Sequence, residues 1–263
     1  VLLEFLEKVT VANSIDWARV ADLYDTYVRT DLDIPFFLNQ ARKTTGKVLE
    51  LMSGTGRVAL PLIEAGVRLT CVDASAEMLA ILRTKLAERN LSAPVYQMDV
   101  RALKIATRFD LIFIPFHSFA ELPSPEDQRQ TLARISEHLA DNGRFICTLH
   151  NPRVRLKRVD GQLRSWGKYP FKDHGTLLFW GLENYDSDTH LVNGWEFFEE
   201  YDSNGILRSK RAVELHFRVV EKQEFEDLAK ATGFKVVALY GDYACSTFDE
   251  ATSPFMIWVL QKP

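Results

Sequence analysis

Five residues with acid–base or hydrogen-bonding chemistry recur where apolar runs end: Glu50, Asp73, Asp99, His117 and His150. Between the first two lies "MSGTGRVA", whose close glycines Gly54 and Gly56 bring bare backbone amides near a ligand at the start of a helix. "GTGRVA" fits the dinucleotide fingerprint, with Asp73 as a ribose partner. Glu50, four residues before Gly54 and read as part of the turn, argues the other way, because a carboxylate there repels a pyrophosphate. A ligand with a cationic centre tolerates it. Asp99, closing "QMDV", suits an exocyclic adenine amine. An adenosine joined to a positive sulfonium and an amino-acid tail would use the whole set. His117 and His150 stand beyond strand ends, where each could act as a general base or as a polar wall.

The elements that must position these residues alternate from Lys47 onward. "KVLEL", "RLTCVDAS", "PVYQMDV", "FDLIFIPF" and "RFICTLH" read as apolar strands. "GRVALPLIEAG", "SAEMLAILRTKLAERN" with Ser75 as N-cap, and "SPEDQRQTLARISEHLADNG" with a Gly143 stop read as helices. That order means a parallel sheet covered on both faces, with ligands outside the carboxyl ends of its strands. From Asn151 to Val220 no helix is expected. "TLLFWGLENYD", "HLVNGWEFFEEYD" and "ILRSKRAVELHFRVV" predict an antiparallel meander. A helix, "EKQEFEDLAKATGF", then leads to two strands with no helix between them, "KVVALYGDY" and "FMIWVLQKP", which should pair antiparallel. The expected division is an N-terminal helical cap at 1–46, a core at 47–150, an inserted β-sheet at 151–220 and a closing segment at 221–263.

The bulk composition limits the partners. The 263 residues hold 36 acidic against 32 basic side chains, which disfavours a nucleic-acid backbone as partner. The one basic cluster, "NPRVRLKR", reads as a solvated loop. The dispersed cysteines Cys71, Cys147 and Cys245 suit a reducing cytosol, and no histidine pair has metal-ligand spacing, so no metal is expected. No apolar run is long enough for a membrane span, and the opening "VLLEFLEKVT" lacks a signal-peptide pattern. A cytoplasmic protein is the expectation.

"VLELMSGTGR", "LTCVDAS", "VYQMDV" and "FDLIFIPFHSFAEL", in this order and spacing, resemble the successive motifs of the class I S-adenosylmethionine-dependent methyltransferases. "YDTYV…DIPFFL" and "ALYGDYACSTFDEATSPFMIWVLQK" resemble a bacterial small-molecule branch of that superfamily. The resemblance implies a Rossmann-like doubly wound α/β sheet of seven strands with the last antiparallel, and S-adenosylmethionine as cofactor. It implies that Glu50 and the amides around Gly54 and Gly56 line the methionine moiety, and that Asp73 takes the ribose hydroxyls. Met78 and Met98 would flank adenine, whose edge Asp99 and Val100 would read. Tyr24, Tyr27 and Arg29 would approach the carboxylate, with Met52, Thr55, Arg57, Ala74, Pro115 and Phe116 as further cofactor neighbours.

The usual first glycine of the turn is Met52 here. A positive φ at that position would cost methionine about 1–2 kcal/mol. For the acceptor, the expectation is a small molecule methylated on O or N, touched by Phe119, Asn151, Trp180, Trp195, Asp242 and Tyr243 beside the two histidines. Competing readings are a nicotinamide-dependent dehydrogenase, a catalytically silent cofactor-binding or scaffold protein, and a methyltransferase acting on RNA or protein.

Overall fold

The N-terminal segment packs aromatic side chains against the rest of the chain rather than forming one long helix. The structure, a computed structural model, describes residues 15–262; the "VLLEFLEKVT" stretch and the first part of the expected cap lie outside the described residues. A 3-10 turn at Trp17–Arg19 precedes α1 (Ala21–Tyr27) and α2 (Ile34–Arg42), and the chain between them is non-helical up to Asp33. Phe37 of α2 stacks on Phe113 with ring centroids 4.6 Å apart.

From Lys47 the expected alternation is present. In order come β1 (Val48–Leu51), α3 (Ala59–Glu64), β2 (Leu69–Asp73), α4 (Ala76–Glu88), β3 (Val95–Gln97), β4 (Phe109–Ile114), α5 (Pro125–His138) and β5 (Leu139–His150). Ser75 caps α4 by accepting a hydrogen bond from the Met78 amide at 3.2 Å. Ser124 does the same for α5 from Asp127, at 3.0 Å. Gly143 is not the helix stop: α5 ends at His138, because fully buried Leu139 turns extended and pairs with Phe109 as the first residue of β5.

A short α6 (Pro152–Arg155) and a 3-10 turn at Leu156–Arg158 occupy a stretch expected to hold no helix. Then β6 (Arg164–Phe171), β7 (Gly175–Asp186), β8 (Leu191–Tyr201) and β9 (Leu207–Arg218) form a separate antiparallel sheet in that order. The sequence pattern shows only the last three of these strands. "RSWGKYPF" hides β6 behind Gly167 and Pro170, and a proline is tolerated there because β6 is an edge strand. Finally α7 (Lys222–Ala231), β10 (Lys235–Tyr240) and β11 (Phe255–Gln261) return to the main sheet.

That sheet has seven strands in the order β10-β11-β5-β4-β1-β2-β3. β11 runs antiparallel to both its neighbours, while the β1, β2, β3, β4 and β5 pairings are parallel. The alternation of β1 separates two cores: Leu49 and Leu51 face Leu132, Ile135 and Phe225, whereas Val48 faces Phe37, Leu62 and Leu82. A third cluster joins the N-terminal helices to the smaller sheet through Val20, Leu23, Phe179, Phe198 and Leu215. Each such buried side chain contributes about 1.5–3 kcal/mol relative to exposure.

Charge pairs fix the N-terminal helices to the glycine turn. Arg57 donates to both oxygens of Asp33, at 2.5 and 2.7 Å, and to the Thr30 carbonyl at 3.0 Å. The Asp33 side chain is 2% exposed and that of Arg57 12%, so removing one partner strands a buried charge. Thr55 Oγ1 donates to Asp25 at 2.7 Å, and Lys85 bridges Asp25 and the Thr55 carbonyl. Asp33→Ala should therefore cost about 3 kcal/mol or more in a denaturant titration. A loss below about 1 kcal/mol would show that the pair does not carry this junction.

Candidate active site

A cavity of about 940 Å³ opens between the carboxyl ends of β1 to β5, the N-terminal helices and the inner face of the smaller sheet. Asp73, the last residue of β2, stands on its wall. One Asp73 oxygen accepts from the Gly54 amide at 2.7 Å and the other from the Ser75 amide at 2.8 Å. Burial raises its pKa, against the lowering effect of those amides. Gly54 (φ +53°) has open space where a Cβ would stand, and Gly56 (φ +86°) has none, since a Cβ would strike Leu82. Met52 adopts φ +56°, the left-handed conformation whose cost methionine bears where glycine would not.

At the end of β3 the arrangement differs from the expected free acceptor. Asp99 caps the 3-10 turn at Val100–Ala102 and is gripped by Arg101, whose Nη2 lies 2.6 Å from Oδ2 and which also reaches Asp127 at 3.0 Å. The Arg101 guanidinium holds the Asp99 carboxyl below its usual range. Asp99 still lines the cavity, beside Met78, Met98 and Val100.

Glu50 does not reach the cavity. It belongs to β1 rather than to the turn, in register with Cys71 and Phe113 on the helix-covered face. It is 1% exposed and its Oε2 has no hydrogen-bond partner; burial pushes its carboxyl well above the usual range.

The two histidines come together. Their rings stack with centroids 3.5 Å apart and an interplanar angle of 18°, and both line the cavity. Phe116 and His117 both have positive φ, at 54° and 66°, which turns the chain after β4 across the cavity floor. Arg57 lies 4.6 Å over the Phe116 ring, tying that turn to the glycine turn. Burial, then the neighbouring His150 and Arg155, drives the His117 pKa well below that of a free imidazole. Burial and Arg155 push His150 down to about 3. Both rings are neutral at neutral pH.

Of the other expected residues, Tyr24, Tyr27, Arg29, Met52, Gly54, Ala74 and Phe116 border the cavity. Thr55, Gly56, Arg57 and Pro115 do not; the first and third are held in the polar contacts that pin the turn. The expected acceptor contacts lie elsewhere. Phe119 is fully buried edge-on to Phe225, and Asn151 caps α6 while donating to the Glu250 and Ser253 carbonyls. Trp180 and Trp195 alternate with Phe179 and Glu196, so they occupy the outer face of the smaller sheet, away from the cavity. Asp242 accepts from the Ala244 and Ser246 amides of its own loop, and Tyr243 packs on Phe36 and Phe255.

Glu196 and Arg155 are what the sequence reading missed. Arg155 belongs to the basic cluster read as solvated, yet it pairs with buried Glu183 and lines the cavity. Glu196 sits on β8 with its side chain on the cavity face. Strict alternation in "GWEFFEE" carried that signal, since it places Glu196 on the same side as Phe198.

Residues 48–143 match the model of a methyltransferase domain family. A protein of Geobacillus sp. (strain WCH70) carrying a methyltransferase designation is 30% identical over 213 residues, 81% of each chain. The chain belongs to the S-adenosylmethionine-dependent methyltransferases. A glycine/sarcosine N-methyltransferase of Halorhodospira halochloris is 28% identical over 92% of this methyltransferase and 85% of its own length. The same fold occurs in an S-adenosylmethionine-dependent methyltransferase of Clostridium acetobutylicum (TM-score 0.79, 18% identity, covering 94% of this chain and 98% of that one).

The residues present fit the cofactor. Asp73 spends one acceptor site of each oxygen on the turn and keeps capacity for hydroxyls. Apolar Met78, Met98 and Val100 offer a slot for a flat base. Asp73→Asn keeps the shape and removes the charge; S-adenosylhomocysteine affinity measured by calorimetry should fall about 10–100-fold. Unchanged affinity would remove Asp73 from the cofactor site. His150, with its pKa lowered on folding, contributes stability that is fully present above the unfolded value of about 6.5 and is lost as pH falls toward about 3. His150→Asn should flatten that acid-side decline in a series of denaturation curves, and an unaltered decline would contradict the buried neutral ring.

Proposed function

We propose that this methyltransferase transfers the methyl group to a nitrogen of a small molecule held inside the cavity. Enclosure carries the reading: Trp166, Phe179 and Val192 of the smaller sheet, with Tyr24 and Tyr27, form a wall over the strand ends, and the cavity is of the size of small-ligand sites. Exclusion of water and fixed orientation supply much of the acceleration in such a transfer.

When bound, S-adenosylmethionine supplies a methyl already activated by positive sulfur. An oxygen nucleophile would need a base with a pKa near neutrality, and the stacked His117–His150 pair is poorly suited to that task. An amine needs only to arrive unprotonated. The histidines then serve as a polar wall that positions the acceptor. The N-methyltransferase activity named for the Halorhodospira halochloris relative supports the same choice.

Incubation with methyl-labelled S-adenosylmethionine and separate panels of small amines, small alcohols, transfer RNA and unfolded protein tests the proposal. Label should enter small amines. Label confined to alcohols would refute nitrogen as the acceptor, and label confined to macromolecules would refute the enclosed small-molecule site.

A further inference from the structure

The part of the cavity farthest in chemistry from the adenosine slot is its roof on the smaller sheet, where one ionisable group stands without a partner. Glu196 is 8% exposed, lines the cavity and has no hydrogen bond to Oε2. Its cross-strand neighbours are Gly181 and Val213, neither of which can serve it. A buried carboxyl oxygen without a donor is costly, and unlike that of Glu50, which does not reach the cavity, this one borders open space where a ligand group can satisfy it.

The groups around it set which ligand that is. Glu183 on β7 is already engaged by Arg155 of α6, and Glu121, in the 3-10 turn at Ser118–Glu121, accepts from Trp17 Nε1 at 2.9 Å. Arg218 of β9 is paired with Glu224 at 2.7 Å. Tyr27 of α1 adds an unpartnered hydroxyl on the same cavity. Burial, then the Glu183 and Glu121 carboxylates, pushes the Glu196 carboxyl up to about 8. The surroundings therefore favour a positive charge or a proton at this point and disfavour an anion.

We propose that Glu196 is the specificity-determining anchor for a cationic amine acceptor, which it binds as the ammonium ion and relieves of its proton. The proposal rests on the nitrogen-acceptor reading above and names the group that selects the substrate. The ammonium N–H bond breaks, its electron pair stays on nitrogen, and the proton passes to a Glu196 carboxylate oxygen. Amine and carboxylic acid are then both neutral. That exchange is favoured in a buried site, because two opposite charges disappear together. The freed lone pair attacks the methyl carbon as the carbon–sulfur bond breaks, leaving a methylated ammonium and a neutral thioether.

The probe is cyclohexylamine, compared with cyclohexanol and cyclohexanecarboxylate, titrated into the protein saturated with S-adenosylhomocysteine. Cyclohexylamine should bind at least tenfold more tightly than the other two. Its affinity should rise about tenfold between pH 7 and pH 9, since Glu196 must lose a proton to receive the cation while the amine stays charged. Calorimetry in two buffers of different ionisation enthalpy should register close to one proton released at pH 7. Glu196→Gln should erase the amine preference and the pH dependence while leaving S-adenosylhomocysteine affinity unchanged; Glu196→Asp should restore part of both. Equal binding of the amine and the alcohol to the natural protein, or an amine preference surviving in Glu196→Gln, would overturn the proposal. Failure here with label still entering small amines would leave the methyl-transfer reading standing, and the two failures are thereby separable.

Discussion

The buried Asp33–Arg57 ion pair is the constraint on which the site depends. The glycine turn after β1 carries one residue, Met52, in a conformation methionine disfavours. Two sets of hydrogen bonds hold it. From the sheet side, Asp73 receives the Gly54 amide; from the cap side, Asp33 receives Arg57 and Asp25 receives Thr55. The same guanidinium lies over Phe116 and so positions the turn that carries His117. One charge pair thus couples the N-terminal helices, the glycine turn and the floor of the cavity.

Electrostatics divide the cavity into two ends. At the adenosine end the carboxylates are committed: Asp73 to backbone amides, Asp99 to Arg101. On the smaller sheet Glu196 is buried and uncommitted, with Tyr27 bordering the same cavity. Burial and Arg155 oppose protonation of the histidine stack. Under the proposal, the sulfur would face these groups and Glu196 would be kept for the acceptor.

Much of the fold was legible because its signals are local. The strand–helix alternation, the Ser75 cap and the helix-free final strand pair each follow from a few consecutive residues. β6 was not legible, since a glycine and a proline interrupt its pattern and only pairing with β7 makes it a strand. Asp73, Asp99, His117 and His150 could be placed together on one cavity from the sequence because topology alone sends strand ends to one rim. Glu50 was read as part of the turn, whereas it lies within β1 on the face covered by α2, α3 and α4 and does not line the cavity. Trp180 and Trp195 were misjudged for a related reason, as large aromatics suggest a binding wall, yet alternation along β7 and β8 puts them outside and Glu196 inside. Arg155 was hidden because the burial of a basic cluster depends on a distant partner, here Glu183.

The central claim is that one cavity seats the nucleoside at the ends of β2 and β3 and points the reacting sulfur toward the Glu196 roof. A crystal structure of the complex with S-adenosylhomocysteine tests this most directly. The account predicts ribose hydroxyls on Asp73, the base between Met78 and Met98, and the thioether facing open cavity bounded by Glu196 and the His117–His150 stack. A nucleoside bound outside that cavity, or a sulfur turned away from Glu196, would contradict it.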